Sequence, residues 1–347
     1  MLETFALDDP LDAATHADPY PYYATLRERA PLAWNQRRRL WVAADAASMD
    51  ALLEMRGARV RPVDEPVPAW LDGTGAGDFF GALVRMNDGL RHEELRAYVQ
   101  DRLQRLEDGA APSVPDRLND ARALDAFIER FAVSCVGSSL GVAADALQHL
   151  FESVRALAAA FAPGATAGAI TQGSQAALTL VGQFLAAGRT RDEAINDAGL
   201  LIQTYDATRG LISNTLVALA RDRCALELVR RERANVPSIV QETARLDSPV
   251  QNTRRFLAED ATIGKTRMRK GDAVLLLLAS ANHDPAATCV YTFGRGVHAC
   301  VGTRLATGIA AAGVNAVLDS GTDVAAMCEP ASYKPSPNAR IALFATP

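Results

Sequence analysis

The sequence predicts a mainly α protein of the α+β class, with a long central helix and small β-sheets. Apolar residues recur at helical spacing through most of the chain, in a composition led by alanine, leucine and arginine, which form helices readily. From Thr190 to Leu219 that spacing continues without a proline, which makes this stretch the longest helix candidate. From Thr253 to Leu278, β-branched residues alternate and the turn-like Arg269-Lys270-Gly271-Asp272 interrupts them, so a small sheet belongs there.

The other elements follow in order. Asp18-Pro19 opens a helix over Tyr20 to Arg29, and Pro31 stops it. Leu40-Trp41-Val42 is a short strand candidate, after which Ala43 to Met55 returns to helical spacing. Pro62 to Gly81 is rich in Pro, Gly and Asp and predicts an irregular loop, with a helix following over Asn87 to Leu106. After a break near Pro112 to Pro115, helical stretches cover Ala121 to Phe161 with Gly137 and Gly141 as punctuation, and Pro163 to Gly173 reads as another loop. Pro237 opens a helix that ends near Leu246, before Pro249. Thr303 to Val317 is helical in spacing, with neither a proline nor an interior acidic residue. No repeat, low-complexity tract or linker divides the chain, so one domain over residues 1–347 is expected.

With 347 residues, 49% of them apolar, and a net charge of only −5, the chain can bury a large core. Its arginines are scattered and form no basic stripe, so nucleic acid is not an expected partner. No stretch approaches ~20 uninterrupted apolar residues, and the first residues lack the charged and apolar regions of a leader, so no membrane span is expected. Cys135, Cys224, Cys289, Cys300 and Cys328 are odd in number and widely spaced, which suits a reducing cytoplasm.

Chemistry concentrates in Phe293-Gly294-Arg295-Gly296-Val297-His298-Ala299-Cys300-Val301-Gly302, immediately before the last long helix. At a helix start, unpaired backbone N–H groups and the positive dipole end favour a thiolate. Gly294, Gly296 and Gly302 let the backbone turn tightly and lie flat against a planar ligand. Cys300 therefore reads as a socket for a metal-bound sulfur, and the other four cysteines as small buried hydrophobes. No paired Cys or His at ligand spacing accompanies it, which disfavours a zinc site.

The segment Phe293 to Gly302 resembles the Phe-Gly-x-Gly-x-His-x-Cys-x-Gly haem loop of the cytochrome P-450 superfamily. The resemblance implies a haem-thiolate protein of a shortened, soluble bacterial type, its long helix lying over a b-type haem (iron protoporphyrin IX). By that resemblance Cys300 ligates the iron, Phe293 packs on the haem near the sulfur, Gly302 completes the loop and His298 reaches a propionate. Glu242-Thr243-Ala244-Arg245 resembles the family's Glu-x-x-Arg pair, in which a spacing of three puts acid and base on one helix face. Leu246 to Gln251 with Arg255 resembles the stretch leading to a propionate-binding arginine, and Ala281-Asn282-His283-Asp284-Pro285 resembles the Ala-Asn-Arg-Asp-Pro segment. His92 and Arg96, four apart on one helical face, are similar to a His and Arg that the family sets against the propionates. These matches occur in the family's order from about Asp18 to Ala345.

Two departures stand out. Typical members carry a small Ala/Gly-Gly pair on the central helix, then an acid followed by Thr, forming an oxygen groove and a proton relay. Here the stretch is Gln203-Thr204-Tyr205-Asp206-Ala207-Thr208. Asp206 keeps the acid, Gln203 and Thr204 replace the small pair, and Ala207 puts a methyl group where the alcohol belongs. A one-residue slip would give Thr208 the alcohol role but rotate the helix by about 100°. Second, only seven residues separate Pro285 from Phe293, and none is the arginine that completes a triad with Glu-x-x-Arg in typical members. The face where electron donors dock is thus expected to be reshaped.

The resemblance implies an oxidoreductase, a monooxygenase or peroxygenase, acting on a small or carrier-tethered specialised metabolite and served by a ferredoxin-type donor or by peroxide. The altered relay keeps two alternatives open. One is haem-thiolate catalysis of a rearrangement, dehydration or heteroatom bond formation without net O2 activation; the other is a haem-binding scaffold or sensor without turnover. Pro62 to Asn87 and Phe161 to Gln183 are expected to form much of the substrate wall.

Overall fold

A computed structural model describes residues 8–106 and 118–346. The break expected near Pro112 to Pro115 lies outside the described residues. In chain order the helices begin with α1 (Tyr20–Arg29), α2 (Ala46–Glu54), α3 (Gly75–Ala82), α4 (Gly89–Gln104) and α5 (Ala121–Ser139). They continue with α6 (Leu147–Phe161), α7 (Ala167–Ala186), α8 (Arg191–Arg221), α9 (Arg223–Arg231) and α10 (Val236–Leu246). The chain closes with α11 (Leu278–Asn282), α12 (Thr303–Asp319) and α13 (Val324–Met327). The strands are β1 (Leu32–Asn35), β2 (Leu40–Ala43), β3 (Ala58–Arg59), β4 (Thr253–Leu257), β5 (Ala261–Ile263), β6 (Thr266–Met268), β7 (Ala273–Leu276), β8 (Ser332–Tyr333) and β9 (Ala342–Leu343).

Two compact units divide the chain. The first comprises Met1–Ala58, Ser113–Glu129 and Asp206–Pro347; the second comprises Arg59–Pro112 and Arg130–Tyr205. The first unit carries a five-stranded sheet in the order β1-β2-β7-β4-β3, with β2 and β7 parallel and β4 antiparallel to β7. Alternation along β7 splits its side chains between two cores. Val274 and Leu276 pack with Met49, Leu52 and Tyr291, whereas Leu275 and Leu277 pack with Tyr23, Leu40 and Val42. The sheet expected between Thr253 and Leu278 is present, and its middle forms the separate β5–β6 hairpin.

The second unit is built around α6 and α7, with α3 packed on α7. Two loop expectations are corrected here. The loop over Pro62 to Gly81 gives way to α3, because the Thr74 side chain accepts from Gly77 N and the helix buries Phe79 and Phe80. The loop expected through Gly173 ends earlier, since Thr166 caps α7 by accepting from Ala169 N. Gly173 sits inside that helix, where an added Cβ would lie 2.3 Å from Ala160 Cβ, so the glycine allows α6 and α7 to approach closely. Phe80 meets Phe161 edge-on at 5.3 Å, joining the two stretches read as a substrate wall.

Candidate functional site

In the first unit, two short 3-10 turns, Tyr291–Phe293 and Gly296–His298, build the segment leading to Cys300. Gly294 and Gly296 hold φ values of 66° and 68°, a region that side chains disfavour. Cys300 N donates to Phe293 O at 2.7 Å and closes the loop. Helix α2 holds this loop in place. Tyr291 donates its hydroxyl to Asp50 Oδ1 at 2.7 Å, Arg295 Nη1 reaches the same oxygen at 3.1 Å, and Arg295 Nε donates to Glu54 Oε1 at 2.7 Å. A Cβ at Gly296 would stand 2.7 Å from Leu53 O, so this glycine answers a close backbone approach by α2. Gly302 is the N-cap of α12, which places Cys300 just ahead of the helix.

Cys300 is exposed, as are Cys224 and Cys289, whereas Cys135 and Cys328 are buried. Burial pushes the Cys135 and Cys328 thiols up to about 12, which makes them inert. The reading of the four other cysteines as buried hydrophobes therefore holds for two of them. Cys300 combines an accessible sulfur with a loop fixed on both sides. Among the described residues no three His, Cys, Asp or Glu side chains group as a metal site.

The remaining anchors expected from the sequence divide between the units. His298 is half-buried on the second 3-10 turn, next to Cys300 in the chain. Arg255, on β4, is 6% exposed, and its Nη1 donates to Arg254 O at 2.9 Å. In the second unit, His92 is 4% exposed and shares the inner face of α4 with Leu95, half-buried Arg96 and Val99, while Arg91, Glu93 and Glu94 face outward. In the first unit, the accessible Cys300 thiol, the His298 imidazole and the Arg255 guanidinium are groups that suit an iron and carboxylates, a donor set that fits haem.

Along α8 in the second unit, Gln203 Nε2 donates to Gly199 O at 3.0 Å and Thr204 Oγ1 to Leu200 O at 2.8 Å, so both polar side chains fold back on their own helix. Further along α8, in the first unit, Asp206 is ion-paired with Lys334 Nζ. Ala207 lies on the accessible stripe with Gln203, whereas Thr208 is 1% exposed on the inner side.

Glu242 and Arg245 pair through two guanidinium nitrogens, Nε to Oε2 at 3.1 Å and Nη2 to Oε1 at 2.5 Å, on one face of α10 as their spacing required. Their side chains are 53% and 40% exposed, and the guanidinium bond holds the Glu242 carboxyl below its usual range. Arg245 borders an open cavity of about 440 Å³, whose other walls include Asn282, Asp284, Pro285, Thr288 and Cys289.

Sequence reasoning missed the residues that position this loop. Asp50 and Glu54 carry no local signal, since they act on groups more than two hundred positions away. Asn282 and Asp284 lay in a recognised segment without an assigned job. Asn282 Oδ1 accepts from Tyr291 N and its Nδ2 donates to Thr292 Oγ1, while Asp284 Oδ2 accepts from Ala46 N. His283, between them, bonds Leu246 O through Nε2, and burial lowers its pKa.

A loop presenting one free sulfur ahead of a helix, on a mainly α scaffold with small sheets, defines a haem-thiolate type of architecture. No family model matches the chain. Over 131 residues it is 31% identical to the protein named cytochrome P450 133B1 of Xylella fastidiosa, a match covering 34% of this chain and 33% of that protein. The chain thus aligns with about a third of the length of the curated relatives it matches first. Over 357 residues it is 26% identical to the protein named cytochrome P450 123 of Mycobacterium bovis, covering 86% of each. The solved structure of P450BioI in complex with a hexadec-9Z-enoic acid ligated acyl carrier protein superposes with a TM-score of 0.75 at 20% identity, covering 93% of this chain and 96% of that one. The chain is similar in sequence to proteins named cytochrome P450 and has the fold of the solved P450 structures.

Proposed function

We propose that residues 1–347 act as one haem-thiolate domain that oxidises a small or carrier-tethered specialised metabolite as a monooxygenase or peroxygenase. The observation that carries this reading is the accessible Cys300 sulfur on a loop closed by Cys300 N to Phe293 O and braced by Arg295 and Tyr291 on Asp50. Bound b-type haem would supply redox-active iron, with oxygen and two electrons from a ferredoxin-type donor, or peroxide, providing the oxygen atom. Cys300 gives the sulfur ligand, Phe293 and Gly302 frame it, and His92, Arg96, Arg255 and His298 take the propionates. A carrier-tethered substrate is supported by the acyl carrier protein bound to P450BioI. Activity in the cytoplasm accords with the free thiols and with the lack, among the described residues, of any helix long and apolar enough to cross a membrane.

Proton handling falls to this chain's own groups. Ala207 has no proton to give, and the Thr204 hydroxyl is committed to Leu200 O. A proton moving along α8 would pass through the Lys334 Nζ and Asp206 Oδ1 contact or through solvent. That pairing also favours a second reading, in which the protein catalyses a rearrangement, dehydration or heteroatom bond formation that needs no relayed proton. Turnover under strict anaerobiosis without reductant would select the second reading; complete dependence on oxygen or peroxide would select the first.

The test of the common core is Cys300→Ser. Wild-type protein is expected to bind haem and give a thiolate-type spectrum with carbon monoxide after reduction, and the variant to lose that signature. An unchanged thiolate-type spectrum in the variant, or a colourless wild-type protein expressed with ample haem precursor, overturns the proposal.

A further inference from the structure

Helix α7, in the second unit, carries no Asp, Glu, Lys, Arg or His from Ala167 to Ala186. Its inner face is buried through Ala176, Ala177, Leu180 and Phe184. The outer face is exposed and yet apolar: Leu178 is 63% and Leu185 44% accessible. Gly182 stands between them with nothing within 4 Å of an added Cβ, so it forms an open gap in the row. Exposed Thr171 and Gln175 extend the row, whose positions recur in steps of four, three, four and three. That is the spacing of a seam between two helices laid along one another, and the solvated face of a helix ordinarily carries charge instead.

The row is complementary to itself. In two antiparallel copies related by a two-fold axis at Leu180, Leu178 of one falls on Gly182 of the other, and Gln175 falls on Leu185. The same axis orders α6. Gly173 of α7 packs against Ala160 of α6, and the two helices run antiparallel across a loop of residues 162–166. Seven residues further along each helix from that contact, Leu180 stands abreast of Ser153. Glu152 and Arg155 flank that level on the exposed side of α6. Glu152 accepts from Gln148 Nε2 at 2.8 Å, whereas Arg155 makes no hydrogen bond or ion pair among the described residues. About the axis, Glu152 of each copy meets Arg155 of the other, so opposite charges face each other twice. A strongly acidic or basic partner finds no such match, since α7 offers it no charge at all.

We propose that the outer face of α6 and α7 binds a second copy of this chain about that two-fold axis. The dimer depends neither on haem nor on the reaction proposed above. A helix of 20 residues is about 30 Å long and packed helices lie about 10 Å apart, so the two-helix face offers roughly 600 Å² per copy. That is somewhat below the ~800 Å² per partner of a standard specific interface, which makes the dimer weak and reversible.

Sedimentation equilibrium of the full chain tests this, with wild type expected to dimerise with a dissociation constant on the order of 10–100 µM. Leu178→Glu sets a charge in the seam and Gly182→Leu fills the gap, and each is expected to weaken association at least about tenfold. Both positions stand in solvent in the single copy. At concentrations where the chain is monomeric, both variants should therefore melt no lower than wild type, which separates the effect from misfolding. Glu152→Arg alone and Arg155→Glu alone are expected to weaken association roughly two- to fivefold at low salt, and the double reversal to restore it. A wild type that stays monomeric at every concentration reached overturns the proposal, and so does a dimer indifferent to Leu178→Glu and Gly182→Leu. Single reversals that change nothing, or a double reversal that recovers nothing, overturn it as well. Binding of a wild-type monomer to phosphatidylcholine vesicles, lost in Leu178→Glu, would give the face to a lipid surface instead.

Discussion

Arg340 is the largest fully buried side chain of the first unit, and each of its three guanidinium nitrogens donates a hydrogen bond. Its Nε donates to Asp247 Oδ1 at 2.8 Å, Nη1 to His16 O and Nη2 to Ala17 O at 2.9 Å, while the guanidinium lies 3.7 Å from the centre of the Tyr333 ring. Tyr20 adds a hydroxyl bond to the same Asp247 oxygen. One side chain thus ties the start of the unit, the end of α10 and β8 together. Removing it leaves a carboxylate short of its cation and two carbonyls without donors. Arg340→Met is expected to cost about 3 kcal/mol, read as a lower urea midpoint; a midpoint unchanged from wild type would show that Met packing compensates. Nothing in the sequence marked this residue, because its partners stand 93, 323 and 324 positions away. Cys300, in contrast, was legible because its glycines and histidine lie within a few residues of it.

At the scale of elements, the long periodic stretches were readable and their ends were not. The helix expected over Thr190 to Leu219 is α8, and Pro237 to Leu246 is α10, since apolar period and proline position are local properties. The loops assigned over Pro62 to Gly81 and Pro163 to Gly173 failed at their ends because Gly75 and Gly173 serve close approach to α7 and α6, a neighbour that the local sequence does not reveal. The same distinction gives a paired expectation. Gly182 is exposed inside α7 with nothing within 4 Å of an added Cβ, so Gly182→Ala should stabilise by roughly 0.5–1 kcal/mol through helix propensity. Gly296→Ala places a methyl group at a φ of 68° and 2.7 Å from Leu53 O, so the loop must move off α2. It is expected to destabilise by about 1–3 kcal/mol and to loosen haem retention. Urea midpoints for both variants check the signs; equal effects would mean that the loop tolerates displacement.

Across the whole molecule, the feature with the widest consequence is the short link from Pro285 to Phe293. Thr292 stretches it tightly over the end of α10, donating to Ala244 O, lying 2.9 Å from Ser248 Oγ and accepting from Asn282 Nδ2. The shortness was visible in the sequence, but its result was not: no longer segment covers Arg245, and the open cavity of about 440 Å³ remains beside it. An acid–base pair 53% and 40% exposed is screened by water on both partners. Glu242→Gln and Arg245→Met are therefore each expected to cost less than about 1 kcal/mol, several times less than the loss of Arg340. Urea midpoints and haem content measured side by side in the three variants would check this ranking. A loss of several kcal/mol, or of haem, from either α10 variant would mean that Glu242 and Arg245 are covered in solution and that their exposure does not set their energy. If the ranking holds, the first unit maintains its sulfur loop through Asp50, Asn282 and Asp284, without structural dependence on the acid–base pair by which α10 was recognised.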